Sequence, residues 1–367
     1  MEDKNVPVVE VKDLVVHYET YDGVVEAVNG VSFKIEKKDV LGLVGETGAG
    51  KTTIALSLMQ LLPHPPAHII KGSIKLGGEE IVLPDDATKA ERKQLEKRMK
   101  EYRGKKISMI FQDPMTALNP VQPIGDQICE VIALHENCSK SEAEKKATEM
   151  LEMVGIRPER YRDYPHQMSG GMRQRVVIAI AISCNPEILI CDEPTTALDV
   201  TIQAKILELI KRLQKKMDIS VIYITHDLGV VAKVADYVSV MYAGKIVERG
   251  TAYEIYFKPR HPYTWGLLLA MPDLGTTDER LYTIPGSPPN LLHEIKGDAF
   301  APRNAYALNI DLEEEPPVFK ISDTHYVSSW LEHPDAPKVD MPEALTRRIN
   351  KMLKKAGLEV QSHECEQ

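Results

Sequence analysis

The sequence predicts an α/β fold in which a parallel sheet is covered by helices and preceded by an antiparallel β layer. Four apolar runs, each too short for a helix, are interleaved with segments of helical periodicity, as expected of buried parallel strands. These runs span residues 40–44, 107–111, 188–191 and 221–224. The first forty residues instead alternate in the manner of antiparallel strands, with Val9, Val11, Val15 and Tyr18 in one run and Val31, Phe33 and Ile35 in another.

Helices are predicted between the apolar runs. Ser139 and Glu142 have the spacing of a capping box, and the segment behind them carries Ala143, Ala147, Met150, Leu151 and Val154 at helical spacing. A second helix is predicted from the apolar positions Ile202, Ile206, Leu209, Ile210, Leu213 and Met217. The charged stretch 85–106 is expected to be a solvated, helical connector without chemistry.

Length and composition exclude several classes of protein. At 367 residues the chain is too long for one small domain, and 43% hydrophobic with 27% charged residues is ordinary for a globular protein. The net charge of −9 argues against a protein that neutralises nucleic acid. The longest apolar stretch, 176–184, is half of what a membrane-spanning helix needs. Five cysteines without a Cys-x-x-Cys pair indicate reduced cytosolic thiols, with neither disulfides nor a zinc site.

The composition changes after about residue 255. Prolines cluster there, at 259, 262, 272, 285, 288 and 289 and again at 316, 317, 334, 337 and 342, and the alternation of strands and helices fades. We therefore expect a main domain over residues 1–255 and a looser C-terminal region over 256–367.

A phosphate-binding loop is predicted directly after the first apolar run. Residues 45–52 match Gly-x-x-x-x-Gly-Lys-Ser/Thr, and the motif lies between a predicted strand and a helix. In such a loop, glycines let backbone N–H groups surround the phosphates, and the helix that follows adds its positive end. Lys51 would then reach the β- and γ-phosphates, and the Thr52 hydroxyl would bind Mg²⁺. The alternative is a glycine-rich turn that matches by chance.

Two carboxylates end the third apolar run. Asp192 is expected to hold Mg²⁺ beside the phosphates, and Glu193 to orient or deprotonate the attacking water. Taken alone, an acidic pair at the end of a strand is a weak signal, since strands often end in polar residues.

The segment 168–175, Met-Ser-Gly-Gly-Met-Arg-Gln-Arg, resembles the signature motif of ATP-binding cassette (ABC) proteins. Together with the phosphate loop, it implies the ABC form of the P-loop NTPase fold: a RecA-like core, an antiparallel β subdomain and an α-helical subdomain. In that family the signature helix binds the γ-phosphate of an ATP held by a second chain, so the resemblance implies that two ATP molecules lie between two chains.

Further positions match the same family in order and spacing. Gln112 resembles the glutamine that contacts Mg²⁺ and the water, and His226 the histidine that contacts the γ-phosphate. Asp199 matches a loop that communicates between the two chains, and Tyr18 the aromatic residue that stacks on adenine. Each has an ordinary alternative: a surface glutamine, a structural histidine, or a tyrosine that only packs in a strand.

The resemblance therefore implies ATP and Mg²⁺ as cofactors and three groups of site residues. The catalytic group is Lys51, Gln112, Glu193 and His226. The metal group is Thr52, Gln112 and Asp192. The ATP-binding group is Tyr18, Gly45, Glu46, Thr47, Gly48, Ala49, Gly50, Lys51, Thr52, Thr53, Ser169, Gly170, Gly171 and Asp199.

The C-terminal region resembles the extension of oligopeptide and dipeptide importer ATPases, through the segments 261–268, 284–289 and 297–303. Many relatives hold an iron–sulfur cluster in this region. Here Asp298 and Asn304 stand at the two cysteine positions that align, and the only cysteine of the region is Cys365, so no cluster is expected. His325, Glu332, His333 and Asp335 could suggest a metal site, but their spacing favours a solvated loop.

The family resemblance implies the ATPase subunit of an oligopeptide or dipeptide importer, peripheral to the cytoplasmic face of the cell membrane. The implied partners are two integral membrane permeases, an extracellular solute-binding protein and a second, paralogous ATPase, with a homodimer as the alternative; no nucleic acid partner is expected. Three other hypotheses remain: a similar importer of nickel or an oligosaccharide, a soluble cassette ATPase that acts on ribosomes or DNA, and a regulatory subunit that does not hydrolyse ATP.

Overall fold

The computed structural model describes residues 6–84, 86–196, 198–271, 282–293 and 295–356. Within these residues the strands form two sheets, one of four strands and one of eight. The strands are β1 (Val9–Thr20), β2 (Gly23–Ile35), β3 (Val40–Val44), β4 (Ala67–Leu76), β5 (Glu79–Glu80), β6 (Ile107–Ile110), β7 (Ile188–Asp192), β8 (Ser220–Thr225), β9 (Tyr237–Tyr242), β10 (Lys245–Thr251), β11 (Val318–Lys320) and β12 (Tyr326–Ser328).

The described helices, apart from short 3-10 turns, number eleven. They are α1 (Lys51–Met59), α2 (Lys89–Tyr102), α3 (Pro114–Ala117), α4 (Ile124–His135), α5 (Lys140–Met153), α6 (Gly170–Ile182), α7 (Val200–Met217), α8 (Leu228–Val231), α9 (Ala252–Phe257), α10 (Pro262–Ala270) and α11 (Glu343–Ala356). The predicted capping box at Ser139 and Glu142 is present and begins α5. The predicted charged helix is α2, which begins with a capping box of its own at Thr88 and Glu91.

The eight-stranded sheet confirms the predicted parallel core. Its order is β11-β12-β10-β9-β3-β8-β7-β6, and β6, β7, β8, β3 and β9 run parallel. Both faces are covered, because Val40 and Val44 of β3 lie in one hydrophobic cluster while Leu41 and Leu43 lie in another. This two-sided burial explains why each of these strands is apolar at nearly every position.

The four-stranded sheet, in the order β2-β1-β4-β5, is the predicted antiparallel layer. The alternation of buried and exposed residues predicted for β1 holds for only part of the strand. The register of β1 shifts between Val11 and Leu14 and again before Val16, so Leu14 and Val16 are fully buried while Val15 is only half-buried. A bulge moves the residues beyond it to the opposite face, which simple alternation does not anticipate.

The C-terminal region packs on the main sheet and extends it. Strands β12 and β11 continue the sheet beyond β10, and Tyr263, Trp265, Phe300 and Leu345 join the hydrophobic cluster formed by α4 to α7. The predicted domain boundary after residue 255 falls inside α9. None of the helices in the described ranges is both long and apolar enough to cross a membrane.

The expectation of a solvated loop around His325 is wrong for that residue. His325 is 2% exposed, and its Nε2 lies 2.7 Å from Oε1 of Glu248, which is fully buried in β10. The pairing attaches the β11–β12 hairpin to the main sheet. Glu332 instead pairs with Arg260, and in the described part of the chain no three His, Cys, Asp or Glu side chains are grouped to hold a metal ion.

Candidate functional site

The phosphate loop joins β3 to α1 and requires glycine at defined positions. A side chain at Gly45 would meet the carbonyl oxygen of Met241 at 2.1 Å, and Gly50 has a φ of 95° immediately before the first helical residue, Lys51. Both constraints follow from the close approach of the loop to neighbouring backbone. The predicted strand, loop and helix are therefore all observed.

Lys51 is 5% exposed and lies along the inside of the loop. Its Nζ donates hydrogen bonds to the carbonyl oxygens of Gly45 (2.7 Å) and Glu46 (2.9 Å). Burial lowers the pKa of Lys51, while the carboxylates of Glu193 and Asp192 oppose this shift. The Nζ of Lys51 therefore lies directly beside the loop, where a phosphate group would meet it.

The parallel strands bring the other predicted residues to the same edge of the sheet. The phosphate loop follows β3, and Gln112, Asp192–Glu193 and His226 stand at or just beyond the carboxyl ends of β6, β7 and β8. This is the edge at which open α/β sheets place their ligands. Asp192 is 3% exposed, and burial raises its pKa although a hydrogen bond with the Thr52 hydroxyl opposes the shift.

Glu193 is the centre of a hydrogen-bonded group that contains three of the predicted catalytic residues. Its Oε2 accepts from Gln112 Nε2 (3.1 Å) and from the Thr196 hydroxyl (2.9 Å). Its Oε1 lies 3.1 Å from His226 Nδ1. Thr196 was not among the predicted residues, although its position three residues after the carboxylate is a usable signal.

The backbone and the charge state of Glu193 are both set by this environment. Its φ of 45° places it in the left-handed region, which is rare for a residue with a side chain. Partial burial by itself would raise the pKa of Glu193, but the hydrogen bonds with His226 and Thr196 and the charge of Lys51 keep that pKa below its ordinary value. Glu193 is therefore an ionised carboxylate at neutral pH.

Tyr18 lies on β1 next to the start of α1. It is half-buried and packs against the second hydrophobic cluster, and its hydroxyl lies 3.3 Å from the Thr53 hydroxyl. The Tyr18 hydroxyl therefore lies beside the first turn of α1, directly after the phosphate loop. The contact of the ring with adenine stays a prediction.

The signature residues lie at the beginning of α6. Ser169 is exposed at the N-cap position, yet its side chain makes no capping hydrogen bond. Gly171 faces α7 so closely that a Cβ atom would come within 2.6 Å of Ile202, and Asp199 caps α7 through the N–H groups of Thr201 and Ile202. Among the described residues, no hydrogen bond joins Ser169, Gly170 or Gly171 to the phosphate loop.

The phosphate loop also contacts the C-terminal region, and nothing in the sequence indicates this contact. The Glu46 carboxylate pairs with Arg303, and the Glu46 N–H donates to the Tyr263 hydroxyl at 2.9 Å. Both residues lie in the segments that resemble the importer extension, but their separation from Glu46 by more than 200 positions hides the contact in the sequence. The side chain of Glu46 thus faces the C-terminal region.

Asp298 and Asn304 stand at the two positions that align with cysteines, and each accepts a hydrogen bond from a nearby backbone N–H. Asp298 accepts from the Phe300 N–H at 3.0 Å, and Asn304 accepts from the Tyr306 N–H at 2.9 Å. Burial raises the pKa of Asp298 to about 6; the charges of Asp311 and Glu315 add to the shift, and the Phe300 N–H and Lys245 oppose it. Cys365 lies outside the described residues, so the expected absence of an iron–sulfur cluster stays a prediction.

Two family models match the chain. The model described as ABC transporter matches residues 28–196, and the model described as oligopeptide/dipeptide transporter, C-terminal region, matches residues 247–310. The first range contains the phosphate loop, Gln112, the signature residues and the acidic pair. The second contains Tyr263 and Arg303.

Similar proteins are found among relatives and among solved structures. The oligopeptide transport ATP-binding protein OppD of Bacillus subtilis is 56% identical over 346 residues, which cover 94% of each chain. The dipeptide transport ATP-binding protein DppD of Lactococcus lactis is 50% identical and covers 93% of this chain and 95% of its own. A dimeric, post-hydrolysis structure of the ATP-binding cassette MJ0796, bound to ADP and Pi, has a TM-score of 0.56 at 25% identity and covers 66% of this chain and 98% of that one.

Three findings lead to the same assignment: the fold, the phosphate loop with its acidic pair, and identities of 50% and more over nearly the whole chain. Such similarity shows an ATPase cassette that binds ATP. The chain belongs to the family of ABC transporter ATP-binding proteins that includes the oligopeptide and dipeptide transport subunits.

Proposed function

We propose that the chain hydrolyses ATP to drive the uptake of oligopeptides or dipeptides through partner membrane permeases. The observation that carries the proposal is the C-terminal region, which matches the oligopeptide/dipeptide transporter model over residues 247–310 and packs directly on the phosphate loop. Relatives that match nearly the whole chain are named for oligopeptide and dipeptide transport. Nickel and oligosaccharide importers remain outcomes of the uptake test below.

In the proposed site, the loop amides and Lys51 bind the phosphates of ATP. Glu193 orients the attacking water and accepts its proton. A pKa below the ordinary value keeps the carboxylate ionised, and therefore free to accept that proton. Gln112 and His226 hold Glu193 from two sides, and His226 would contact the γ-phosphate. Tyr18 would stack on the adenine ring.

Residues at the strand ends and at the start of α1 fit a Mg²⁺ ion. A hydroxyl (Thr52), a carboxylate (Asp192) and an amide oxygen (Gln112) are hard oxygen donors of the kind Mg²⁺ prefers. Burial raises the pKa of Asp192, and a bound cation would favour its ionised form. The ion, when bound with ATP, would neutralise charge on the phosphates.

We further propose that the working unit is a dimer of cassettes. Ser169 is exposed, its hydroxyl is not used to cap α6, and the helix N-terminus behind it can bind an anion. Since no hydrogen bond among the described residues joins the signature to the phosphate loop of the same chain, the signature would act on ATP held by a second chain. The MJ0796 cassette is itself a dimer in its solved structure.

The proposed assembly contains two permeases, two ATPase chains and an extracellular solute-binding protein, with this chain peripheral to the cytoplasmic face of the membrane. The second ATPase is proposed to be a paralogue, with a homodimer as the alternative. ATP binding would close the dimer and product release would open it, and the movement would pass to the permeases near Gln112.

The first test is mass spectrometry of the proteins that co-purify with the tagged chain from membranes in mild detergent. Two polytopic permeases together with a second cassette ATPase would support the importer. Ribosomal or DNA-repair proteins, or no membrane protein at all, would contradict the transport proposal and leave the ATPase assignment intact.

The cargo is tested by uptake in cells that lack the chain. Radiolabelled tripeptides and dipeptides, nickel and an oligosaccharide are each supplied to cells carrying the wild-type chain or Glu193→Gln. Peptide uptake that returns only with the wild-type chain supports the proposal. Restored uptake of nickel or oligosaccharide, without peptides, contradicts it.

A further inference from the structure

Arg303 belongs to the C-terminal region, yet its guanidinium group meets the phosphate loop. It is 8% exposed, and two of its nitrogens pair with the two carboxylate oxygens of Glu46: Nη1 with Oε2 at 2.6 Å and Nη2 with Oε1 at 3.0 Å. Two parallel hydrogen bonds of this kind define both the distance and the orientation of the pair. The contact therefore holds residue 46 in one position.

The guanidinium group is itself held from other directions. Its Nε donates to the carbonyl oxygen of Pro285 at 2.8 Å, and Nη1 also reaches the Tyr242 hydroxyl at 3.2 Å. Arg303 therefore connects the C-terminal region, the last residue of β9 and the phosphate loop. Its position does not depend on Glu46 alone.

Tyr263 supports the backbone of the same loop residue. Its hydroxyl accepts from the Glu46 N–H at 2.9 Å, and the residue is fully buried. The Tyr263 ring packs against Tyr242 and Phe300, with ring centroids 4.7 and 5.3 Å away. The C-terminal region thus contacts Glu46 through both its side chain and its main chain.

Residue 46 in turn supports the groups that reach the phosphates. Its carbonyl oxygen accepts from Lys51 Nζ at 2.9 Å and from the Ala49 N–H at 3.2 Å. A displacement of Glu46 would therefore move the lysine and change the loop that surrounds the phosphates. Displacements of about 1 Å at such groups can change binding or rate by one to two orders of magnitude.

We propose that Arg303, assisted by Tyr263, is a positioning residue for the phosphate loop, so that the C-terminal region supports ATP binding. The inference depends on ATP binding by the cassette and not on the cargo, so its failure would leave the proposed peptide transport untouched. Because the loop contacts phosphates shared by ATP and ADP, both nucleotides should be affected equally.

The test is Arg303→Met in the full-length chain, with Arg347→Met as the matched control. Arg347 lies in the same region but forms an exposed pair with Glu343 on α11. Isothermal titration calorimetry with Mg·ATP and Mg·ADP should show an increase in Kd of about tenfold for Arg303→Met, with the stoichiometry unchanged, and no change for the control. In steady-state hydrolysis, KM should rise while kcat stays within about twofold.

A purely structural role would give a different result. It would reduce the stoichiometry or kcat through loss of folded protein and leave Kd and KM unchanged, and this outcome would overturn the proposal. If Arg303→Met does not fold, Arg303→Lys keeps the charge but loses the two-point contact, and it should still raise Kd.

The pairing is tested by combining Arg303→Met with Glu46→Gln. If the two residues act as one unit, the Kd of the double variant for ATP should be no higher than the higher of the two single-variant Kd values. Additive losses of affinity would show that Arg303 acts elsewhere and would overturn the proposed contact.

Discussion

Replacing Glu193 with glutamine separates ATP hydrolysis from ATP binding. Both hydrogen bonds to Oε2 come from donors, Gln112 Nε2 and the Thr196 hydroxyl, so the carbonyl oxygen of the new amide can accept them. Its NH₂ group can then donate to His226 Nδ1, which lies 3.1 Å from Oε1. The substitution should therefore preserve the local structure and the affinity for ATP.

What the substitution removes is the negative charge and the ability to accept a proton from water. A positioned general base contributes about 10²- to 10⁴-fold to a rate, equivalent to about 3 to 5 kcal/mol of activation free energy. Since the pKa of Glu193 lies below its ordinary value, the wild-type residue is fully ionised near pH 7. We therefore expect kcat to fall by at least about 100-fold with Kd for ATP nearly unchanged.

The assay is phosphate release at saturating Mg·ATP, alongside calorimetric measurement of ATP affinity. Glu187→Gln is the matched control, because Glu187 is an exposed glutamate just before the opposite end of β7. Size-exclusion chromatography should also reveal an ATP-bound dimer of the Glu193 variant. A kcat within about twofold of the wild type would refute the role given to Glu193, and an equal loss of affinity and rate would refute the reasoning that the site survives.

Three further predictions concern other parts of the chain. Tyr18→Ala should raise Kd for ATP about tenfold by removing a stacking contact worth about 1 to 3 kcal/mol, whereas Tyr18→Phe should not; equal affinities by calorimetry would assign Tyr18 to packing alone. In homodimers of this chain, Ser169→Ala and Lys51→Ala should each abolish most phosphate release, but an equal mixture should regain part of it, because both changes fall on one site of a mixed dimer and leave the other intact. No recovery in a mixture that forms such homodimers contradicts the two-chain site. Burial raises the pKa of Asp298 to about 6, against 3.8 ordinarily, so the folded state keeps a proton that the unfolded state has lost, and this stabilisation disappears as the pH rises through 6. Asp298→Asn keeps the acceptor for the Phe300 N–H but cannot lose a proton. In urea unfolding, the free energy of unfolding of the variant minus that of the wild type should therefore be about 1 kcal/mol larger at pH 8 than at pH 5. A difference that does not change with pH would contradict the raised pKa.

The sequence by itself determined the parts of the protein that depend on neighbours along the chain. The buried strands were predictable because a strand covered on both faces is apolar throughout, and β3 has the predicted bounds. The phosphate loop was predictable because backbone approaching a phosphate needs glycine at defined spacings, and the capping box of α5 because its two side chains lie three residues apart. The grouping of Gln112, Glu193 and His226 was implied by the family resemblance, and the structure accounts for it, since the carboxyl ends of parallel strands meet at one edge.

Only the tertiary structure decided the contacts between distant segments. The bulges in β1 move Leu14 and Val16 to the buried face, and His325 is buried against Glu248 although its surroundings in the sequence are polar. Above all, Arg303 lies against Glu46 across 257 positions. Such pairs depend on how the C-terminal region packs on the main sheet, and no local pattern of charge or hydrophobicity records which partner a buried charge will meet.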